Sequence, residues 1–280
     1  MPRDGDFELV TLRNGARAVR HVGHGEVMHP SIGPWQEAQA LYVAQSRLCE
    51  QLEQPGPALC IWDVGLGAAT NAVAALSAAR ALGAAQRRPL VVHSFEIDLA
   101  PLRLALADHE GFPFLRPFSE AAAVLAETRV WREGKLEWQL SLGDAKTLWR
   151  SAAPPPDIIF FDPFSPASNP TLWTPAAFAA LRARASEPCK LYTYSAATPT
   201  RVSLLLGGFF VGTGDATGTK RETTVAATRR ELLEQPLDQR WLARWERSTS
   251  KAPHGLPLDP NIERALRAHA QFGNVAPGAR

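Results

Sequence analysis

Four carboxylates stand where apolar runs end. Asp63 closes the run 59–62, Glu96 closes 90–95, Asp144 follows 138–142 across one glycine, and Asp162 ends 157–161. A carboxylate at the tip of a second strand can accept both hydroxyls of a ribose, and one in Gly143-Asp144-Ala145 can meet an adenine amino group. Asp162 leads into a loop rich in proline and aromatic residues, 163–174. There its charge lies among flat apolar surfaces, suited to taking a proton from an amine nucleophile. After Asp63 the chain reads Val64-Gly65-Leu66-Gly67-Ala68-Ala69-Thr70-Asn71; glycines at such a strand-to-helix turn let the backbone approach a ligand closely. A dinucleotide fingerprint does not fit, because Thr70 stands where its third glycine belongs and Glu96 lies well beyond its spacing of about 20 residues. Any one acid alone reads more readily as an ordinary loop residue. The ordered set at successive strand ends is the signal.

Those residues need a frame. Residues 8–20 alternate loosely about Asn14-Gly15, which predicts an N-terminal hairpin. Trp35, Ala38, Leu41, Tyr42, Leu48 and Leu52 recur at helical spacing and predict one amphipathic helix, ended by Gln54-Pro55-Gly56-Pro57. Beyond Ala58, strands are expected at 59–64, 90–96, 137–142, 157–162, 190–195, 209–211 and 223–227, with helices at 70–82, 100–109 and 175–185. Near-continuous apolar strands alternating with helices imply a parallel sheet covered on both faces. The last two strands, joined by the Gly- and Thr-rich 212–219 with no crossover helix between them, are expected to run antiparallel. The expected fold is therefore α/β and Rossmann-like, a mostly parallel seven-stranded sheet with an antiparallel last strand and a small N-terminal β appendage. The expected division is 1–57 as hairpin and helix appendage, 58–228 as the main domain and 229–280 as a basic, partly ordered extension.

Composition narrows the class. Of 280 residues, 45% are hydrophobic and 21% charged, and no run reaches the roughly 18–20 apolar residues that cross a bilayer. Met1-Pro2-Arg3-Asp4-Gly5-Asp6 does not read as a secretory signal, so a cytoplasmic location is expected. Three scattered cysteines, Cys49, Cys60 and Cys189, suit buried thiols rather than a disulfide framework, and His24, His29 and His93 lack ligand spacing, so no metal is expected. The net charge of +2 hides an asymmetry: residues 1–181 carry 15 Lys and Arg against 19 Asp and Glu, and 182–280 carry 15 against 9. A basic C-terminal third can attract phosphates, although Trp241 and Trp245, four apart, suit a helix packed on the domain.

Taken together, Gly65-x-Gly67 with Asn71, Ser94-Phe95-Glu96, Gly143-Asp144, Asp162-x-Phe164-x-Pro166-x-x-Asn169-Pro170-x-x-Trp173-Thr174 and Lys220-Arg221-Glu222 resemble the methyltransferase domain of the bacterial tRNA 5-methylaminomethyl-2-thiouridine biosynthesis proteins, the MnmC family. Gly25-Glu26-Val27-Met28-His29 resembles its stand-alone members. The resemblance implies a class I S-adenosylmethionine-dependent N-methyltransferase acting on the aminomethyl group of wobble 5-aminomethyl(-2-thio)uridine. tRNA would be the partner, and a separate flavin-dependent oxidase would supply the amine. It implies Asp63, Gly65, Gly67, Asn71, Glu96, Asp144 and Ala145 at the cofactor, and Asp162 as the catalytic proton acceptor. His29, Phe164, Pro166, Asn169, Trp173, Lys220 and Arg221 would face the substrate. The chain departs from the family pattern at Ala69, Pro163 and Ser168. Two alternatives stay open: an amino-methyltransferase for adenine, glutamine or a small amine, to which Asp162-Pro163-Phe164 is similar, and a catalytically inactive RNA-binding module, to which Ala69 points.

Overall fold

Alternate residues of the central strands belong to different cores. The computed structural model describes residues 5–28, 33–217 and 221–273; His29 and Lys220 lie outside them. Three antiparallel strands, β1 (Phe7–Thr11), β2 (Arg17–His21) and β3 (Glu26–Val27), form a small N-terminal sheet. The expected hairpin is there, and the two-residue β3 extends it. Next come α1 (Pro34–Glu37), a π-helix over Ala38–Ala44 and α2 (Leu48–Glu53). The single expected helix is thus broken in two: its winding changes after Glu37, and Arg47 turns the chain with a φ of 54°.

β4 (Leu59–Val64), α3 (Thr70–Leu82), β5 (Leu90–Glu96) and α4 (Ala100–Ala107) follow the expected alternation. In β4, Leu59 and Ile61 join the core under α3 and α2, whereas Cys60, Trp62 and Val64 join a second core on the opposite face. Side chains alternate across a strand, so a strand covered on both faces must be apolar at every position, which is why these runs are continuous.

α5 (Ser119–Thr128) leads to β6 (Val130–Glu133), which the sequence reading missed, and then to β7 (Leu136–Leu142). After α6 (Ala145–Leu148) the chain continues through β8 (Ile158–Phe161), α7 (Pro175–Arg182), β9 (Lys190–Thr193), α8 (Thr198–Leu206), β10 (Phe210–Gly214) and β11 (Thr223–Ala227). The main sheet has eight strands rather than seven, ordered β10-β11-β9-β8-β4-β5-β7-β6. β9, β8, β4, β5 and β7 are parallel; β11 is antiparallel to both β9 and β10, and β6 is antiparallel to β7. Residues 212–214, expected in a loop, belong to β10. Strand order reverses between β4 and β8, and in open α/β sheets the crevice outside the carboxyl ends at that point is where ligands bind.

α9 (Gln239–Glu246) and α10 (Pro260–Arg267) follow. Trp241, Trp245, Leu266 and Phe272 are buried in the second core with Phe161 and Phe178, so the tryptophans face inward as their spacing predicts. The same segment covers β10: Leu237 N–H donates to Val211 O at 2.9 Å and Thr213 N–H to Gln235 O at 2.9 Å. Gln271 then accepts from Val211 N–H at 2.7 Å and donates to Val211 O at 2.6 Å.

Candidate active site

The turn after β4 is shaped by positive φ angles: 93° at Gly65, 52° at Gly67 and 62° at Ala69. At Gly65 the strand tip passes against the backbone of the β8 tip, where a Cβ would lie 2.6 Å from Asp162 O. Ala69 adopts the left-handed conformation a glycine would take, so the turn keeps its shape and its alanine gives no sign of a lost site. Glu96, at the tip of β5, reaches back to this turn; its Oε2 accepts Gly67 N–H at 2.8 Å and its Oε1 accepts Ile97 N–H at 2.7 Å. Burial pushes the Glu96 carboxyl above its ordinary value, with the N–H groups of Gly67, Ile97 and Asp98 opposing the shift. Gly143 N–H donates to Glu96 O at 2.7 Å, which brings Asp144 and Ala145 alongside. Asp144 caps α6 by accepting Lys146 N–H at 3.0 Å. Beside these carboxylates Ile97 is 60% and Leu142 40% exposed, leaving apolar surface at this end.

A cavity of about 750 Å³ runs along the carboxyl ends of the strands, with Gly65, Gly67, Glu96, Asp144, Ala145 and Asp162 on its wall. Phe164 and Asn169 line it as well. Other expected residues stand behind it. Asn71, buried in the first turn of α3, donates from Nδ2 to Asp162 Oδ2 at 2.7 Å. Asp63 is fully buried inside β4 and accepts from Ser94 Oγ at 2.7 Å, and Ser94 Oγ in turn accepts from Trp138 Nε1 at 3.0 Å. Trp173, expected at the substrate, is fully buried; its indole donates to Phe164 O at 2.9 Å. Pro166 is not on the cavity wall. Arg221 is exposed and off the wall, but the pairing of Thr224 with Thr193 places Arg221 and Glu222, just ahead of β11, toward the carboxyl end of β9, the cavity's edge of the sheet. The neighbouring Glu222 accepts from the buried Arg201 at 3.0 Å, which accounts for the acid in Lys220-Arg221-Glu222.

Several wall residues escaped the sequence reading. Glu26 comes from β3, Glu37 ends α1 and is 4% exposed, and Tyr194 follows β9. Burial, with Asp162, Glu26 and Glu37 nearby, holds the Tyr194 phenol far above its ordinary value; burial, then Asp162 and Glu37, does the same to Tyr42. Both stay neutral, and Tyr194 is the one on the wall, so this end of the cavity combines carboxylates with a neutral hydroxyl and suits a cation. Glu26 was visible only as part of the Gly-Glu-Val-Met-His motif, and Glu37 looks like any glutamate on a helix. Among the described residues no cluster of His, Cys, Asp or Glu suits a metal.

The sequence pattern of a family described as S-adenosyl-L-methionine-dependent methyltransferase matches residues 117–229. The bifunctional MnmC protein of Pseudomonas aeruginosa, named for tRNA 5-methylaminomethyl-2-thiouridine biosynthesis, is 31% identical over 231 residues, 78% of this chain and 35% of that protein. Its counterpart in Ralstonia nicotianae is 40% identical over 114 residues, 39% of this chain and 17% of that one. The crystal structure of MnmC2 from Aquifex aeolicus superposes with a TM-score of 0.71 at 25% identity, covering 95% of this chain and 84% of that chain. The chain belongs to the MnmC-like methyltransferase family. As an MnmC-like methyltransferase it uses S-adenosyl-L-methionine, and the cavity fits that cofactor: a glycine turn whose backbone a side chain would block, a carboxylate at the second strand tip, and exposed apolar side chains beside Asp144. The chain spans about a third of the length of the bifunctional relatives it matches.

Proposed function

We propose that this MnmC-like chain methylates the primary amine of a 5-aminomethyl(-2-thio)uridine at the wobble position of tRNA. The observation that carries the reading is one cavity joining a cofactor-shaped end to an acceptor end walled by Asp162, Glu26, Glu37 and Phe164. When bound, S-adenosyl-L-methionine supplies an electrophilic methyl group on a sulfonium. Glu96 would accept its ribose hydroxyls, the Gly65 and Gly67 backbone would lie along it, and Asp144 and Ala145, with Ile97, would flank the adenine. Asp63 and Asn71 act from behind, through Ser94 and Asp162. An alkyl ammonium has no lone pair, so Asp162, held by Asn71, orients the amine and takes its proton; such positioning of reacting groups is a large share of catalysis. Phe164 and Asn169 would meet the base, with Trp173 fixing the Phe164 backbone, while Arg221 and Lys220 would approach phosphates. His29, outside the described residues, would be a further substrate residue. A flavin-dependent oxidase on another chain is proposed to supply the amine, with the cytoplasm as the compartment.

The test is calorimetric titration with S-adenosyl-L-methionine, followed by methyl transfer to tRNA carrying or lacking the aminomethyl group. Transfer is expected only to the amine-bearing tRNA. Cofactor binding without such transfer would retire this acceptor.

A further inference from the structure

The acceptor-side loop, residues 163–169, is gripped from two sides. From behind, the Trp173 indole holds Phe164 O at 2.9 Å. From across the cavity, one carboxylate of the N-terminal sheet takes three donors: Glu26 Oε1 accepts Ser165 N–H at 2.7 Å, and Oε2 accepts Ser165 Oγ at 2.8 Å and also Ser168 Oγ. Hydrogen bonds to an ionised acceptor are about twice as strong as neutral ones, so these contacts outweigh the loop's own turn bonds from the Ser168 and Asn169 N–H groups to Ser165 O. The same sheet places Phe7 in stacked contact with Phe164 at 6.3 Å and His21 edge-on to it at 5.8 Å. Glu26 is itself anchored, since it pairs with His21 across β2 and β3, and Met28 N–H donates to Val19 O at 2.9 Å. Two residues along, Met28 Sδ lies 3.2 Å from where a Cβ on Gly67 would stand. Glu26 in β3 thus touches the acceptor loop, and Met28, just past the strand, lies beside the Gly67 turn.

We propose that Glu26 is a positioning residue that latches the acceptor loop to the N-terminal sheet and thereby sets the Phe164 ring for the acceptor base. Every bond in the latch joins segments far apart in sequence, so this grip on the loop forms only once the N-terminal sheet is docked. The functional part of this inference rests on the tRNA reading above; the latch itself does not.

Hydrogen exchange tests the latch directly. In the native chain the Ser165 amide is protected, and Glu26→Ala should raise its exchange by about tenfold or more while amides of β4 and β5 keep their protection. With hypomodified tRNA, Glu26→Ala should raise KM by roughly 10- to 100-fold with kcat lowered less, and leave S-adenosyl-L-methionine affinity within about threefold. Glu26→Gln keeps the length and one carbonyl acceptor, so it should recover most of KM. Ser165→Ala removes a single donor and should add little to Glu26→Ala, because the two act through one contact. An unprotected Ser165 amide in the native chain, or unchanged exchange in Glu26→Ala, overturns the latch. Unchanged KM in Glu26→Ala with an active native chain overturns its role. A native chain that methylates no tRNA overturns the acceptor reading, while the exchange result still decides the latch.

Discussion

A single methyl group at Gly65 tests how the turn after β4 and the loop after β8 are joined. A Cβ there would stand 2.6 Å from Asp162 O, 2.9 Å from Asp162 C and 2.9 Å from Pro163 Cα. All three are backbone atoms, so no side chain can swing aside. The φ of 93° adds a left-handed penalty of about 1–2 kcal/mol, and overpacking against fixed atoms adds about 1–3 kcal/mol. Gly65→Ala should therefore cost about 2–5 kcal/mol, which at about 2 °C per kcal/mol for a chain of this size lowers Tm by about 4–10 °C. Because the displaced backbone is that of Asp162, cofactor affinity and turnover should fall together. Gly67→Ala is the control. Its φ of 52° lies in the ordinary left-handed region and its nearest neighbour, at 3.2 Å, is the flexible Met28 tip, so about 1 kcal/mol is expected. Scanning calorimetry gives the Tm, and isothermal titration with S-adenosyl-L-methionine gives the affinity. A Gly65→Ala chain with native Tm and affinity, or a Gly67→Ala chain that is the more damaged of the two, would refute the reasoning.

Three further outcomes are expected. Asp162→Asn keeps the shape at the β8 tip and should lower turnover by roughly 10² to 10⁴ while cofactor affinity stays within a few fold; surviving turnover would make Asp162 structural. Glu96 is held above the ordinary carboxyl range, so it protonates early on acidification: cofactor affinity should begin to fall at a higher pH than a solvated glutamate would give, and Glu96→Gln should bind weakly with that acid limb gone, as titrations over a pH series will show. Arg201, 4% exposed, donates to Thr224 Oγ1, Glu222 Oε1 and Thr223 O, each at 3.0 Å; Arg201→Met leaves the buried carbonyl without that donor and should cost about 2–3 kcal/mol in denaturant unfolding, with an unchanged midpoint counting against it.

The parts of the fold legible in the sequence were those where burial is total or the pattern is periodic. α3 and β11 fall on the expected residues, 70–82 and 223–227. β6 was hidden because an edge strand of four half-exposed or exposed residues, with Arg132 and Glu133 among them, carries no apolar pattern. α8 was hidden for the opposite reason: Thr200, Arg201 and Ser203 are buried beside Val202, Leu204 and Leu205, so polarity no longer marks the outer face. The break within 34–53 leaves the apolar spacing almost unchanged, and spacing cannot report a change of winding. At the site, strand-end carboxylates were readable because topology brings strand ends together. Whether a residue faces the cavity or the residue behind it was not: Asn71 turns to Asp162 and Trp173 to Phe164 O. Glu26 and Glu37 reach the wall through tertiary packing, which leaves no local mark.

The two margins of the eight-stranded sheet are guarded differently. β6 is short and charged, which discourages another strand from joining it. β10 is largely apolar and would be an open template for a second molecule, but the chain's own C-terminal segment occupies it. Gln271 bonds both the N–H and the C=O of Val211 and also donates to Leu237 O at 2.8 Å, so a side-chain amide takes the place of one residue of a ninth strand. The cover on this edge is therefore built into residues far from the cavity: a chain shortened ahead of Gln235 would keep every strand tip that shapes the site, yet expose a β edge and an aromatic core face to its neighbours and tend to assemble edge to edge.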